Sequence, residues 1–168
     1  MKAGFVAVVG RPNVGKSTLV NALAGTKISI VSPKPQTTRD AIQGVVSRPE
    51  GQIVFVDSPG IHQPKLALGK RMMREIRRAS DGCHALLFLI DASRGMGPKD
   101  EQALKSLRSD APVILVLNKI DRMSDKRELL PLIESCSKLA EFAAFVPISA
   151  KKADGLKALE KEIFALLP

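Results

Sequence analysis

The stretch Phe5-Val-Ala-Val-Val9-Gly10-Arg-Pro-Asn-Val-Gly15-Lys16-Ser17-Thr18-Leu19 decides the fold. Phe5 to Val9 is an apolar run that reads as a buried strand, and Lys16 to Ala24 reads as the helix that follows it. Between them, Gly10 to Ser17 satisfies GxxxxGK[ST] at every fixed position. The glycines let the backbone turn tightly and aim N–H groups inward, and the helix brings its positive end to the same place. This is a cradle for phosphate. Lys16 is expected to neutralise β- and γ-phosphates, and Ser17 to offer its hydroxyl to Mg2+. The alternative is a glycine-rich turn that merely caps a helix. With glycine near ~7% of average usage, four fixed positions seldom coincide by chance, and the strand–loop–helix context makes the coincidence rarer.

Outward from this motif, short apolar runs alternate with helical patterns, the mark of an α/β fold with a mostly parallel sheet. Six strands are expected, at Phe5 to Val9, Ala41 to Ser47, Gln52 to Asp57, Ala85 to Ile90, Val113 to Leu117 and Phe145 to Ile148. The second and third meet at Pro49-Glu50-Gly51 and form the one antiparallel hairpin. Helices are expected at Lys16 to Ala24, about Ala67 to Ala79, Lys99 to Leu107, somewhere in Lys126 to Leu139, and Leu156 to Leu167. Ser32-Pro33-Lys34-Pro35-Gln36 reads as a long polar loop. There is no internal repeat, low-complexity tract or linker, so residues 1–168 read as a single domain.

Composition sets the partners. Apolar residues make up 45% and charged residues 26%, ordinary for a globular fold. No run approaches the ~18 apolar residues of a membrane span, and the N-terminus carries no signal-peptide pattern. Cys83 and Cys136 show neither CxxC nor metal-ligand spacing and read as thiols in a reducing cytosol. A cytoplasmic monomer is therefore expected. The formal charge is +9, from 26 basic and 17 acidic residues, which favours nucleotide, RNA or a peripheral contact with acidic lipid at the inner membrane; otherwise it is a solvated basic surface. Six Phe with no Trp or Tyr argue against an aromatic platform for single-stranded RNA, so phosphates would dominate any such contact.

Four further motifs extend the phosphate site and say which nucleotide it takes. Asp57-Ser58-Pro59-Gly60 ends the third strand, where Asp57 can reach the Mg2+ shell through water and the Gly60 N–H can meet the γ-phosphate. In the long loop, Gln36-Thr37-Thr38-Arg39-Asp40 offers a threonine hydroxyl that completes the Mg2+ coordination only with triphosphate bound. Each pattern standing alone would be an ordinary polar loop or turn. Asn118-Lys119-Ile120-Asp121 follows the fifth strand. A carboxylate at Asp121 can accept from the N1–H and 2-amino group of guanine, and adenine offers neither donor. Lys119 would lay its stem over the base while Asn118 holds this loop to the phosphate loop. Ser149-Ala150-Lys151 follows the last strand, where the Ala150 N–H can face guanine O6.

The motifs GRPNVGKS, QTTR, DSPG, NKID and SAK stand in the order used by translation-factor-related small GTPases. SPKPQTTR at 32–39 and DSPGIHQPK at 57–65 closely resemble the bacterial Era family, the small GTPases of ribosome assembly. The related tandem-domain Der GTPases usually show GxTRD where this chain has Gln36 before its threonines. The resemblance implies a Ras-like P-loop fold, a six-stranded sheet with helices on both faces. It implies that GTP or GDP is held by Gly10, Arg11, Pro12, Asn13, Val14, Gly15, Lys16, Ser17 and Thr18, by Thr37, Thr38, Asp57 and Gly60, and by Asn118, Lys119, Asp121, Ser149, Ala150 and Lys151. Ser17 and Thr38 would be direct Mg2+ ligands and Asp57 an outer-shell one. Lys16, Thr38, Gly60 and Asn13 would carry the catalysis.

Two departures follow from the comparison. Era-family proteins carry a C-terminal KH domain that grips small-subunit (16S) ribosomal RNA, and this chain reaches Pro168 without one, so the rRNA partner comes with the resemblance. Ras-like proteins place a water-orienting glutamine after the DxxG glycine, whereas this chain has Ile61. Intrinsic turnover is then expected to be slow, or helped by another group. In related GTPases an asparagine in the place of Asn13 helps bind K+ beside the β- and γ-phosphates; Arg39 and His62 are nearby candidates for charge stabilisation. Lys65, Lys70, Arg71, Arg74, Arg77 and Arg78 read as a solvated helix face or as a nucleotide-controlled dock for RNA phosphate or membrane. Two other classes compete: a P-loop ATPase or kinase, against which NKID and SAK stand, and an inactive binding module, against which Lys16, Ser17, Thr38 and Asp57 stand. A stand-alone G domain acting on a membrane or protein target is the alternative to the ribosomal role.

Overall fold

A computed structural model describes residues 2–24, 42–57, 83–107 and 111–168. Six strands, β1 (Lys2–Gly10), β2 (Ile42–Arg48), β3 (Gly51–Asp57), β4 (Ala85–Asp91), β5 (Val113–Asn118) and β6 (Ala144–Pro147), form one sheet in the order β2-β3-β1-β4-β5-β6. Only the β2–β3 pair is antiparallel; the other four pairings are parallel. Among the described residues, α1 (Lys16–Ala24), α2 (Pro98–Lys105) and α3 (Leu129–Ser137) run between strands, and α4 (Leu156–Leu166) follows β6. The expected loop at 32–36 and basic helix at 67–79 lie outside the described residues.

The central strands are apolar without alternation because both of their faces are covered. Val6 to Val9, Ala85 to Ile90 and Ile114 to Leu117 are completely buried. Successive side chains go to opposite layers. Val6, Val8, Leu87, Leu89, Ile114 and Val116 pack with Leu19, Val20 and Leu23 of α1 and with Leu159, Ile163 and Phe164 of α4. Ala7, Val9, Leu86, Phe88, Leu115 and Leu117 pack on the other face with Ala103 and Leu104 of α2 and Cys136 of α3. Helices thus lie on both faces, as expected.

Element ends depart from the sequence pattern for identifiable reasons. β1 begins at Lys2 rather than Phe5 because Lys2, Ala3 and Gly4 pair with Gly51, Gln52 and Ile53, and the Lys2 N–H donates to Glu50 O at 3.0 Å. α2 begins at Pro98, where a missing N–H is harmless, and the Asp100 carboxylate turns back to accept the Gly97 N–H at 2.9 Å. α3 is preceded by a 3-10 turn, Lys126–Glu128, whose Arg127 N–H is capped by Asp125 at 2.9 Å. Pro131 sits in the first turn of α3, where no intrahelical donor is required.

β1 lies between β3 and β4, so the connections leave it toward opposite edges of the sheet. The carboxyl ends of β1, β4 and β5 therefore bound a crevice at the switch point, the usual ligand position in an open α/β sheet. At the other pole, Ala3 N–H donates to Pro168 O at 3.2 Å and the Lys2 ammonium to Phe164 O at 2.9 Å. Among the described residues, no helix is long and apolar enough to cross a membrane. Replacing Phe88 with Ala should lower stability by about 3–5 kcal/mol through the cavity left in the second layer. Urea unfolding of the two forms measures the difference directly.

Candidate nucleotide-binding site

The phosphate loop runs from the end of β1 to the start of α1. Two of its glycines are demanded by close approach. Gly10 has φ +153°, and a Cβ there would lie 2.8 Å from Leu89 O. Gly15 has φ +103°, and a Cβ there would run into Nδ2 of Asn118. Asn13 adopts φ +68°, a left-handed conformation that asparagine tolerates better than most residues. Leu19 N–H donates to Gly15 O at 2.9 Å, so α1 begins directly at the phosphate loop and turns its positive end toward it. No acidic side chain occupies the first turn of α1, which keeps that end positive.

Lys16 is 9% exposed, and its ammonium donates to Gly10 O at 2.6 Å and Arg11 O at 3.4 Å. The charge is thereby held within the loop's own curve. Ser17 and Thr18 are exposed in the first turn of α1, beside the loop. Asp57 ends β3, and its backbone pairs with Val8 two residues before Gly10. That register puts the third-strand terminus next to the phosphate loop, where the sequence motif requires it. Thr37, Thr38 and Gly60 lie outside the described residues, as do Arg39, Ile61, His62 and the basic side chains of 65–78.

Asn118 ends β5 and is almost completely buried. Its Nδ2 donates to Val14 O at 2.8 Å, and its Oδ1 accepts the Ala150 N–H at 3.0 Å. One carboxamide thus joins the phosphate loop to the loop after β6. The first half of this contact is the tether expected from the sequence. The second half differs, because the Ala150 N–H expected to face guanine O6 is directed to Asn118. The cause is proximity: Ile148 N–H donates to Leu117 O at 2.8 Å and Ile120 N–H to Ile148 O at 3.2 Å, which brings the two strand ends together.

Lys119 follows with φ +66°, and its ammonium donates to Asn13 O at 2.6 Å. Asp121 stands in the 3-10 turn Ile120–Arg122 and is exposed, with Oδ1 accepting from the Ser149 hydroxyl at 2.8 Å. That hydroxyl accepts in turn from the Lys152 N–H at 3.1 Å. Ser149 and Asp154 exchange both backbone hydrogen bonds, closing the loop that carries Ala150 and Lys151. The Ser149 hydroxyl, helped by Lys151 and Lys152, holds the Asp121 carboxyl below its ordinary 3.8. The Asp121 carboxylate is therefore ionised at neutral pH. Asp100 behaves oppositely: burial raises its pKa, against the Gly97 N–H and the Arg11 charge.

Sequence spacing alone did not single out Asp91 or Asp100. Asp100 lies with Oδ2 3.8 Å from the Arg11 guanidinium, tying the second residue of the phosphate loop to the start of α2. A signal did exist for Asp91, since a carboxylate closing a central apolar strand repeats what Asp57 does at the end of β3. Among the described residues no group of three or more His, Cys, Asp or Glu side chains could hold a metal ion. The Ser17 hydroxyl, in the first turn of α1, is a hard oxygen donor of the kind suited to Mg2+ shared with phosphate. Asn118→Ala strands a buried carbonyl and a buried N–H, and should destabilise the fold by about 2–5 kcal/mol. Thermal unfolding together with GDP titration should show lowered stability and weaker binding in the same variant.

A family model described as 50S ribosome-binding GTPase matches residues 5–119. GTPase Era of Ruminiclostridium cellulolyticum is 46% identical over 168 residues, covering 99% of this chain and 56% of that protein. GTPase Era of Stenotrophomonas maltophilia is 49% identical over 167 residues, covering 98% and 56%. The chain spans about half the length of the curated relatives it matches. Among solved structures, a variant of Aquifex aeolicus Era bound to GDP and AlF4− superposes with TM-score 0.82 at 45% identity, over 100% of this chain and 58% of that one. Era in complex with MgGDPNP and nucleotides 1506–1542 of 16S ribosomal RNA gives 0.80 at 42% identity, with coverage of 100% and 58%. The Ras-like P-loop fold is common to all of them. With its matched span running from β1 through Lys119, the chain belongs to the 50S ribosome-binding GTPase family, as a G domain of the Era kind.

Proposed function

We propose that this chain binds GTP and GDP with Mg2+ and acts as a molecular switch by hydrolysing GTP to GDP and phosphate. The observation that carries this is the Asn118 bridge, which ties the phosphate loop to a guanine-reading pair, Asp121 and Ser149. A phosphate cradle alone would serve any nucleotide. An ionised carboxylate beside it, aligned by a hydroxyl, discriminates for guanine by hydrogen-bond donors that adenine lacks.

In this mechanism the positive N-terminal end of α1 and the Lys16 ammonium bind the phosphate chain and meet the charge that builds up as water attacks the γ-phosphorus. Ser17, Thr38 and the outer-shell Asp57 would hold Mg2+, which supplies charge neutralisation between the β- and γ-oxygens. The Gly60 N–H would sense the γ-phosphate. Asn13, at φ +68° in the phosphate loop, would help hold K+, which would supply further positive charge beside the phosphates. With Ile61 where a water-orienting glutamine would stand, the intrinsic rate is slow.

The role in the cell follows the relatives. Era in a solved complex holds MgGDPNP and a 16S rRNA fragment. By that likeness this G domain would serve small-subunit rRNA binding and ribosome assembly.

Three measurements test these statements. Asp121→Asn exchanges an acceptor for a donor at one position. It should lower GTP affinity by about 100-fold or more and raise XTP affinity, and unchanged GTP binding would overturn the guanine assignment. GTP turnover at matched ionic strength should be faster in K+ than in Na+; equal rates would remove K+ from the site. The low pKa of Asp121 fixes a sign as well. Its contribution is complete above the unfolded value of 3.8 and is lost only as pH falls through the lower folded value. The preference for GDP over ADP should therefore stay flat from neutral pH to about 5. A fall across that range would assign the carboxylate a higher pKa.

A further inference from the structure

A pocket of about 340 Å³ lies on the outer side of the phosphate loop, bounded by Arg11, Asn13, Asp91, Asp100 and Lys119 among others. Its two carboxylates each face one of its cations. Asp100 Oδ2 is 3.8 Å from Arg11, and Asp91 Oδ2 is 3.8 Å from the Lys119 ammonium. The second pairing is linked to the phosphate loop, because the same ammonium donates to Asn13 O at 2.6 Å.

We infer that Asp91 is a positioning residue for guanine-nucleotide binding, fixing Lys119 so that its stem lies along the base while its ammonium joins the phosphate loop. This rests on the guanine-site assignment above. The backbone makes the placement rigid. Asp91 pairs with Asn118 in the β4–β5 register, and Ala92 N–H donates to Asn118 O at 2.8 Å. The carboxylate has little freedom, since Oδ1 accepts from Ser93 N–H at 3.0 Å and from the Ser93 hydroxyl at 2.5 Å. That leaves Oδ2 directed at Lys119. Arg94 also approaches Oδ2, at 4.0 Å, but its side chain is 85% exposed and water screens it, whereas Lys119 is 23% exposed.

The need for a second anchor comes from Lys119 itself. It holds a left-handed backbone, and a lysine stem has four rotatable bonds to immobilise. One carbonyl at Asn13 sets where the ammonium ends. A fixed negative charge on the opposite side removes the competing rotamers, so the stem is already in place when a base arrives.

The test is a titration of GDP and ADP with wild type, Asp91→Asn, Lys119→Met and the double variant. Asn keeps an oxygen for the Ser93 N–H and removes the charge; Met keeps an apolar stem and removes the ammonium. Asp91→Asn alone should weaken GDP about tenfold, the size of one contact to a charged group. In the Lys119→Met background it should change GDP affinity less than twofold, because the partner is gone. Asp91→Glu, which keeps the charge, should recover part of the loss. Equal losses in both backgrounds, or no loss in either, would overturn the proposal. A wild type that binds ADP as tightly as GDP would instead overturn the guanine site on which it rests. Should Asp91→Asn not fold, Ser93→Ala serves in its place. It keeps the charge but frees the carboxylate, and should weaken GDP binding about two- to threefold only when Lys119 is present. Equal GDP affinity in Ser93→Ala and wild type would then count against the inference.

Discussion

The carboxamide of Asn118 is the contact on which the rest of the site depends. It is buried, it donates to the phosphate loop and accepts from the loop after β6. Because it lies directly over Gly15, it also decides that no side chain can stand there. Three segments far apart in the sequence are thus fixed by one planar group with one donor arm and one acceptor arm. Neither a carboxylate nor an amine could serve both neighbours at once. The loop proposed to hold phosphate and the loop proposed to face the base are therefore fixed by the same atom group.

Most of the fold was legible because its determinants are local. The apolar runs of β1, β4 and β5 are strands buried on both sides, and the order of strand, glycine-rich loop and helix leaves few topologies open. The ends were less legible. Lys2 to Gly4 carry no apolar signal and are strand only because β3 offers them backbone partners. The phosphate and guanine motifs were legible for the reason that their chemistry is position-specific: a lysine and a hydroxyl after a glycine turn, a carboxylate three residues after an asparagine.

What spacing could not show is which groups already satisfy one another. The Ala150 N–H looks available in a linear reading, and only the closeness of the β5 and β6 ends reveals that Asn118 takes it. The partner of Lys119 was hidden for a related reason. Asp91 is distant in sequence and becomes adjacent through the register of β4 on β5, a register that no local pattern encodes. Motif spacing marks the candidate groups and leaves their supporting groups unmarked, because support comes across strands.

The hydrogen bond from Ala3 to Pro168 has a practical corollary. Both ends of the described chain meet at the amino pole of the sheet, while the nucleotide loops occupy the carboxyl pole. A fluorophore, surface tether or fused partner attached at either end would project from the far side and leave the ligand approach clear.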